Sequence, residues 1–233
     1  MLSRIQELLA DLYDLHPVPD VECFVCGPEL LAEVAGEDAA RRREVLLVLE
    51  DEDGVHVALY LDPEVLAQMR EEAPRFDALQ LATEGVSHYL YLTFRERNDE
   101  AVSQLELEVQ AEVDKYAAGL LAGNGVGLLR ERHRASRRSE RLPAQGARGM
   151  PAPRELRERS RALRERLFAQ ATFLDAPDTD EGERYRIAHR AAARYAAQLE
   201  ARYVDHGRLE ELAIELRRFY RLGARDKLAL TRQ

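Results

Sequence analysis

The N-terminal segment has the apolar spacing of an amphipathic helix. Leu2, Ile5, Leu9 and Leu12 recur every three or four residues with acidic residues between them, which places the apolar side chains on one helix face. The pattern ends before Pro17, because a proline lacks the backbone N–H that a continuing helix needs. We therefore predict one helix from the start of the chain to about residue 15.

A β-hairpin is predicted over residues 45–61. Residues 45–49 form a continuous apolar run, the pattern of a strand that is buried on both faces. The next residues, Asp51-Glu-Asp-Gly54, are typical of a turn, and aliphatic residues then occupy every second position of 55–61. Three shorter elements are predicted around the hairpin: a strand over 21–26, one or two helical turns over 28–34, and a helix over 63–72.

Two long helices are predicted over residues 76–121, with a break at Asn98 and Asp99. Apolar residues share one face of the first helix: Leu79, Ala82, Val86, Leu90 and Phe94. Apolar residues likewise share one face of the second helix: Val102, Leu105, Val109, Val113, Tyr116 and Leu120. Two amphipathic helices joined by a tight turn pack antiparallel, so we predict an αα-hairpin here.

The C-terminal part has a helical pattern throughout. A narrow apolar stripe predicts a helix whose seam consists of Leu156, Leu163, Leu167 and Leu174. Asp180 and Glu183 have the spacing of a capping box and predict the start of a second helix. A third helix is predicted over 209–219, with Gly223 after its end.

These elements predict the fold class and the division of the chain. The strands precede the helices and do not alternate with them, which favours an α+β fold. We expect it to be predominantly helical, with a small antiparallel sheet in the N-terminal half and a helical C-terminal half. The predicted parts are an α+β domain over 1–122, an arginine-rich arm and linker over 123–153, and a helical part over 154–233.

Charge is distributed unevenly along the 233 residues, whose net charge is -9. Residues 1–129 hold 27 acids and 9 bases, whereas residues 130–168 hold 13 arginines and 5 acids. An acidic half repels nucleic acid, and the arginines of 130–141 are not interleaved with the aromatic side chains that stack on bases. We therefore favour docking of 130–168 on the acidic half over nucleic-acid binding through that segment.

The composition also bears on the compartment. No run of 18 apolar residues occurs, so we expect no membrane span. Two cysteines are too few for a disulfide framework, which favours a cytoplasmic chain. Cys23 and Cys26 form a Cys-x-x-Cys on a predicted strand, and we interpret them as small core residues because zinc needs four ligands.

One cluster of ionisable residues is a candidate divalent-metal site. Glu84 and His88 are four residues apart on the first helix of the αα-hairpin, and Glu108 and Glu112 are four apart on the second. Pairs at this spacing share a helix face, and facing helices build metal sites from such side chains. The alternative is a helix-surface pair at 84 and 88 with solvated acids opposite, of which Glu112 has Lys115 as a local partner.

A cationic stripe lies on the second C-terminal helix. Its members recur at helical spacing: Arg186, His189, Arg190 and Arg194. The stripe is suited either to binding an anion or to pairing with acids such as Glu84, Glu108 and Glu112. We favour the ion pairs, which would join the two halves of the chain.

Two functional hypotheses from different classes follow. The first is an intracellular, non-catalytic, regulatory protein that binds another protein through its helical surface; it is motivated by the charge segregation, the narrow leucine seam and the lack of a catalytic motif. The second is a metal-dependent hydrolase or oxidase that uses the carboxylate and histidine cluster of the αα-hairpin. The sequence alone leaves open whether the protein is an enzyme.

Overall fold

The computed structural model describes most of the chain. The described residues are 1–36, 39, 41–52, 54–122 and 153–232. The glycine-rich stretch after residue 122, the arginines of 130–141 and the linker up to residue 152 lie outside them. The predictions of an arm, a linker and a nucleic-acid-binding segment therefore fall largely outside the described residues.

The N-terminal half combines six elements of α-helix and strand before the long helical hairpin. Its α-helices and strands are α1 (Leu2–Tyr13), β1 (Val25–Cys26), α2 (Pro28–Ala35), β2 (Glu44–Asp51), β3 (Gly54–Leu61), α3 (Pro63–Gln68), α4 (Phe76–Glu96) and α5 (Gln104–Leu121). Asp62 and Ser103 start α3 and α5 by accepting a hydrogen bond from a backbone N–H of the first turn. The short helix α3 ends four residues before its predicted end, at Gln68.

The sheet has three strands in the order β1-β3-β2. Strands β2 and β3 pair antiparallel from Glu44 opposite Leu61 to Asp51 opposite Gly54, as the predicted hairpin requires. Gly54 has a φ of 129°, a conformation that glycine adopts without strain at this turn. The two-residue strand β1 adds a parallel pairing with β3, so the sheet is mixed and not purely antiparallel.

The C-terminal half is helical. Its α-helices are α6 (Pro153–Arg164), α7 (Asp180–Arg202), α8 (Leu209–Tyr220) and α9 (Ala224–Leu230). Helix α6 continues into a π-helical turn at Glu165–Ala169 and ends there, so the prediction that its seam reaches Leu174 is wrong. Leu174 is 85% exposed. Helix α7 is capped by Thr179, whose side chain accepts from Gly182 N, and not by the predicted capping box.

One connected core holds elements of both halves. Buried residues of the N-terminal half pack in the same cluster as Tyr195 of α7 and Phe219 of α8. Helix α6 approaches α5 closely because residue 119 is glycine: a Cβ there would lie 2.8 Å from Leu163 Cδ2. Arg159 of α6 donates to the carbonyl of Ala122 at 2.7 Å, which satisfies a backbone acceptor just beyond α5. Helix α5 is therefore central, packed between α4 and the C-terminal helices.

The prediction of an α+β fold that is predominantly helical is confirmed. The small sheet lies in the N-terminal half, and the described C-terminal elements contain no strand. Within the described ranges, no helix combines the length and the apolar character needed to cross a bilayer.

Candidate metal centre

The candidate site lies where α4, α5 and β2 meet. Glu84 and His88 lie one turn apart on α4, and Glu108 faces them from α5. Glu44, the first residue of β2, brings its carboxylate to the His88 ring. Helix α4 comes this close to the sheet because residue 85 is a glycine: a Cβ on Gly85 would lie 3.2 Å from Glu44 Cγ.

Three side chains bring one potential ligand atom each into a small volume. A carboxylate oxygen of Glu84, a ring nitrogen of His88 and a carboxylate oxygen of Glu108 lie within 4.8 Å of one another. His88 Nδ1 is hydrogen-bonded to Glu44 Oε1 at 3.3 Å, whereas Nε2 is 3.9 Å from Glu108 Oε2, beyond hydrogen-bond range. Nε2 is buried without a hydrogen-bond partner in a residue that is 5% exposed.

The fourth predicted member of the cluster, Glu112, has other partners. Lys115 Nζ lies 2.7 Å from Glu112 Oε1 and 2.8 Å from Glu84 Oε2, so one ammonium joins two carboxylates. His189 Nδ1 lies 3.1 Å from the other Glu112 oxygen, within hydrogen-bond range. The described structure thus brings Glu84, His88 and Glu108 together and connects them through Lys115 to Glu112.

The charges of the site follow from its burial. Burial by itself favours the neutral His88 ring, but Glu44 and Glu108 outweigh it and raise the pKa of His88 to about 9. Burial raises the pKa of Glu108, and His88 only partly opposes this. Burial would also raise the pKa of Glu112, but Lys115 and His189 lower it to about 2. At neutral pH the site therefore holds a proton on His88.

His189 connects the C-terminal half to this cluster. Its Nδ1 faces a Glu112 oxygen and its Nε2 faces the carbonyl of Phe168, each at 3.1 Å. Burial lowers the pKa of His189, but the bond to Glu112 outweighs it, and the pKa is raised. Two acceptors require two N–H donors, which only the protonated ring supplies. The Phe168 carbonyl belongs to the π-helical turn, which therefore takes part in the network.

The other members of the predicted cationic stripe lie elsewhere. Arg186 donates to the carbonyls of Gly182 and Asp175, at 2.8 and 3.0 Å. Arg190 and Arg194 are exposed. Within the described residues, His189 is the member of the stripe that reaches the acids of α5, through Glu112.

A cleft of about 720 Å³ opens onto the metal centre. Glu44, His88 and Glu108 form part of its wall, and Arg42, Arg184 and Tyr185 also line it. Burial raises the pKa of Tyr185, and the neighbouring carboxylates of the cluster raise it further. The phenol is therefore neutral, with an O–H available to donate. The volume falls within the range of small-molecule sites.

The helical spacing of the sequence does not predict several residues of the site. Glu44 precedes an apolar strand in the sequence, where an acid is unremarkable, and it meets His88 across 44 positions. Arg42 and Tyr185 lie on a loop and on a helix of the other half. Lys115 is the exception, because the sequence shows a partner for it, Glu112, three residues earlier.

The two cysteines do not lie on one strand. Cys23 lies in the 3₁₀ turn Val21–Phe24 and is exposed, while Cys26 lies in β1 and is partly buried. The interpretation of both as core residues on one strand is wrong, because the strand begins two residues after Cys23. Burial raises the pKa of the Cys26 thiol, which disfavours the reactive thiolate.

A second buried polar cluster surrounds Asp114 of α5. The hydroxyls of Tyr13 and Ser87 and the amide of Gln110 donate to its carboxylate. Lys227 of α9 donates to Gln110 Oε1 at 2.7 Å. Burial raises the pKa of Asp114 to about 6, and burial lowers the pKa of Lys227 to about 7. This cluster ties the last helix to the centre of the core.

Comparisons with known proteins add no assignment. The chain matches no protein-family model, and no curated protein or solved structure is significantly similar to it.

Proposed function

We propose that this protein is a metal-dependent enzyme that binds one divalent transition metal between α4 and α5. The protein ligands are His88 Nε2 and the carboxylates of Glu84 and Glu108. The observation that carries the proposal is the buried Nε2 of His88, which has no hydrogen-bond partner and lies beside the two carboxylates.

The spacing of the ligand atoms supports a metal. Ligand nitrogen and oxygen atoms lie about 2.0–2.2 Å from zinc, so tetrahedral ligands are about 3.3–3.6 Å apart. The three potential ligand atoms lie within 4.8 Å of one another. An approach of about 1 Å between the most widely separated atoms, which side-chain rotation supplies, brings them to coordination distance.

The surroundings of His88 support the same role. A metal-binding histidine donates its second ring N–H to a carboxylate or carbonyl, which fixes the tautomer and orients the ring. Glu44 accepts from Nδ1 in this way, and so leaves Nε2 for the metal. Lys115 engages one oxygen of Glu84 and leaves the other for coordination.

The donor set indicates the class of reaction. One imidazole and two carboxylates suit zinc, manganese or iron, and three protein ligands leave further positions for water or substrate. Since His88 and Glu108 line the cleft, those positions face it. A divalent metal there would acidify a bound water, which is the chemistry of a hydrolase; iron in the same place would suit an oxidase.

Metal titration tests the proposal. Protein stripped with EDTA is titrated calorimetrically with Zn²⁺, Mn²⁺ and Co²⁺, and bound metal is counted by mass spectrometry. We expect one ion per chain, and an affinity loss of at least 100-fold in His88→Ala. The matched control is His56→Ala, which removes an exposed histidine and leaves the affinity unchanged. Wild type without stoichiometric metal, or His88→Ala with wild-type affinity and wild-type circular dichroism, would overturn the proposal.

A protein-binding, regulatory role is the second candidate. Four of the large apolar side chains that are exposed among the described residues lie on α2 and on the β2–β3 hairpin: Leu30, Val48, Leu49 and Val55. Apolar side chains exposed on a hairpin and on the helix that packs against it are available to a protein partner. Replacing Leu30 and Leu49, which do not line the cleft, by serine would abolish binding of a partner there while leaving metal affinity unchanged. The partner, like the cytoplasmic location, stays a prediction from the sequence.

A further inference from the structure

Two arginines line the cleft, and they differ in how fully they are paired. Arg42 forms two hydrogen bonds to Asp175, each at 3.1 Å, and a third to Glu181. Arg184 reaches only Glu181 among the described carboxylates, at 4.0 Å, and its buried Nε has no hydrogen-bond partner. A guanidinium has five N–H donors, so Arg184 retains capacity for an anion.

Part of the cleft wall is apolar, although polar side chains, Glu181 among them, line it as well. Leu46 and Val48 of β2, Leu92 of α4 and Leu107 of α5 line it together with Val102. Contact with these aliphatic side chains would not favour binding of a hydrated ion such as phosphate. A hydrocarbon group would be stabilised there, because it would be removed from water. The cleft thus combines an incompletely paired cation, an apolar wall and the metal centre.

The charge of the metal-loaded site permits an anion. His88 is neutral when it binds the metal. The negative charges of the four glutamates at the site are then matched by the positive charges of Lys115, protonated His189 and the divalent ion. The four glutamates are Glu44, Glu84, Glu108 and Glu112. Without the ion the carboxylates dominate and repel an anion. Binding of an anion in the cleft should therefore depend on the metal.

We infer that the cleft takes an organic acid with an apolar body, whose carboxylate pairs with Arg184 while the hydrocarbon lies against the aliphatic wall. The inference rests on the proposed metal site and specifies the substrate class of that site. An Arg184–carboxylate pair is suited to bidentate hydrogen bonding, which fixes the orientation of the acid relative to the metal. The neutral hydroxyl of Tyr185 offers a further donor at the same wall.

Calorimetric titration with octanoate tests the inference. The metal-loaded protein is titrated with octanoate, acetate and inorganic phosphate, and octanoate is also titrated into metal-free protein. We expect octanoate to bind at least tenfold more tightly than acetate or phosphate, and to bind metal-free protein at least tenfold more weakly. Arg184→Gln should weaken octanoate binding at least tenfold and leave metal affinity unchanged. Arg190→Gln, an exposed arginine on the same helix, is the control and should change neither affinity.

The outcomes separate this inference from the proposed function. Stoichiometric metal without octanoate binding, or equal octanoate affinity in Arg184→Gln and wild type, would overturn the inference alone. Phosphate or acetate binding as tightly as octanoate would overturn the apolar part of the substrate class. Absence of metal binding by folded wild type would overturn both.

Discussion

The buried lysine of the last helix should make the stability of this protein depend on pH in a way that one substitution removes. Lys227 is 0% exposed, and its Nζ lies 3.8 Å from the centroid of the Tyr91 ring. Burial lowers its pKa from 10.5 to about 7. Because the folded pKa lies below the unfolded one, the stability that this group contributes is fully present above pH 10.5 and is lost as pH falls through 7.

The size of the effect follows from the two pKa values. A pKa difference of one unit corresponds to 1.36 kcal/mol, so the full contribution is about 5 kcal/mol. By linkage, about 3 kcal/mol of this change falls between pH 6 and pH 9. Lys227→Met keeps much of the side-chain volume and removes the titrating amine. The Gln110 oxygen then loses its donor, at a cost of about 1–3 kcal/mol that does not depend on pH.

The assay is urea unfolding of wild type and Lys227→Met at pH 6, 7, 8 and 9. The stability of wild type relative to the variant should rise by about 3 kcal/mol from pH 6 to pH 9. The comparison with a variant is needed because other buried groups titrate in the same range, His88 among them with the opposite sign. Arg225→Met, an exposed change on the same helix, should show no such trend. A difference constant to within about 0.5 kcal/mol would refute the reasoning, because Lys227 would then keep its proton throughout.

Three further predictions concern the metal site and the core. Metal binding should release close to one proton per ion at pH 8, measured calorimetrically in buffers of different ionisation enthalpy, because His88 holds a proton with a pKa of about 9; no proton release would exclude it as a ligand. Gly85→Ala should displace Glu44 and lower the histidine pKa measured by NMR, and an unchanged pKa would show that the close approach is not required. Ser160→Ala should lower the free energy of unfolding by about 1–3 kcal/mol in urea, since it removes a donor to buried Glu200, and a change under 0.5 kcal/mol would contradict this.

Periodicity predicted the parts of the fold that depend on neighbouring residues. The β2–β3 hairpin and the helices α4 and α5 follow from spacings of two and of three to four residues, and the structure has them close to the predicted bounds. The pairing of β1 with β3 has no such signal, because two residues are too few to show alternation. The π-helical turn that ends the α6 segment breaks the spacing on which the prediction through Leu174 depended.

The site was predictable as far as the αα-hairpin brings its own side chains together. Glu84 with His88 shares a face of α4 by local geometry, and Glu108 is brought opposite by the helical hairpin. Glu44 was not predictable, since a strand meets a helix through tertiary packing that leaves no periodic trace. The charge pattern predicts that the cationic stripe pairs with acids of the αα-hairpin, but it does not distinguish Glu112 from the other acids.

The interior placement of both lysines has a consequence for chemical labelling. The chain has 34 basic residues, of which only Lys115 and Lys227 are lysines. The ammonium of the first is held between two carboxylates, and the second is enclosed by aromatic rings. Reagents that acylate lysine would therefore modify these side chains only when the surrounding helices separate. The rate of lysine acylation, followed by mass spectrometry, would therefore report how often α5 and α9 separate from their neighbours. The surface arginines would not be modified.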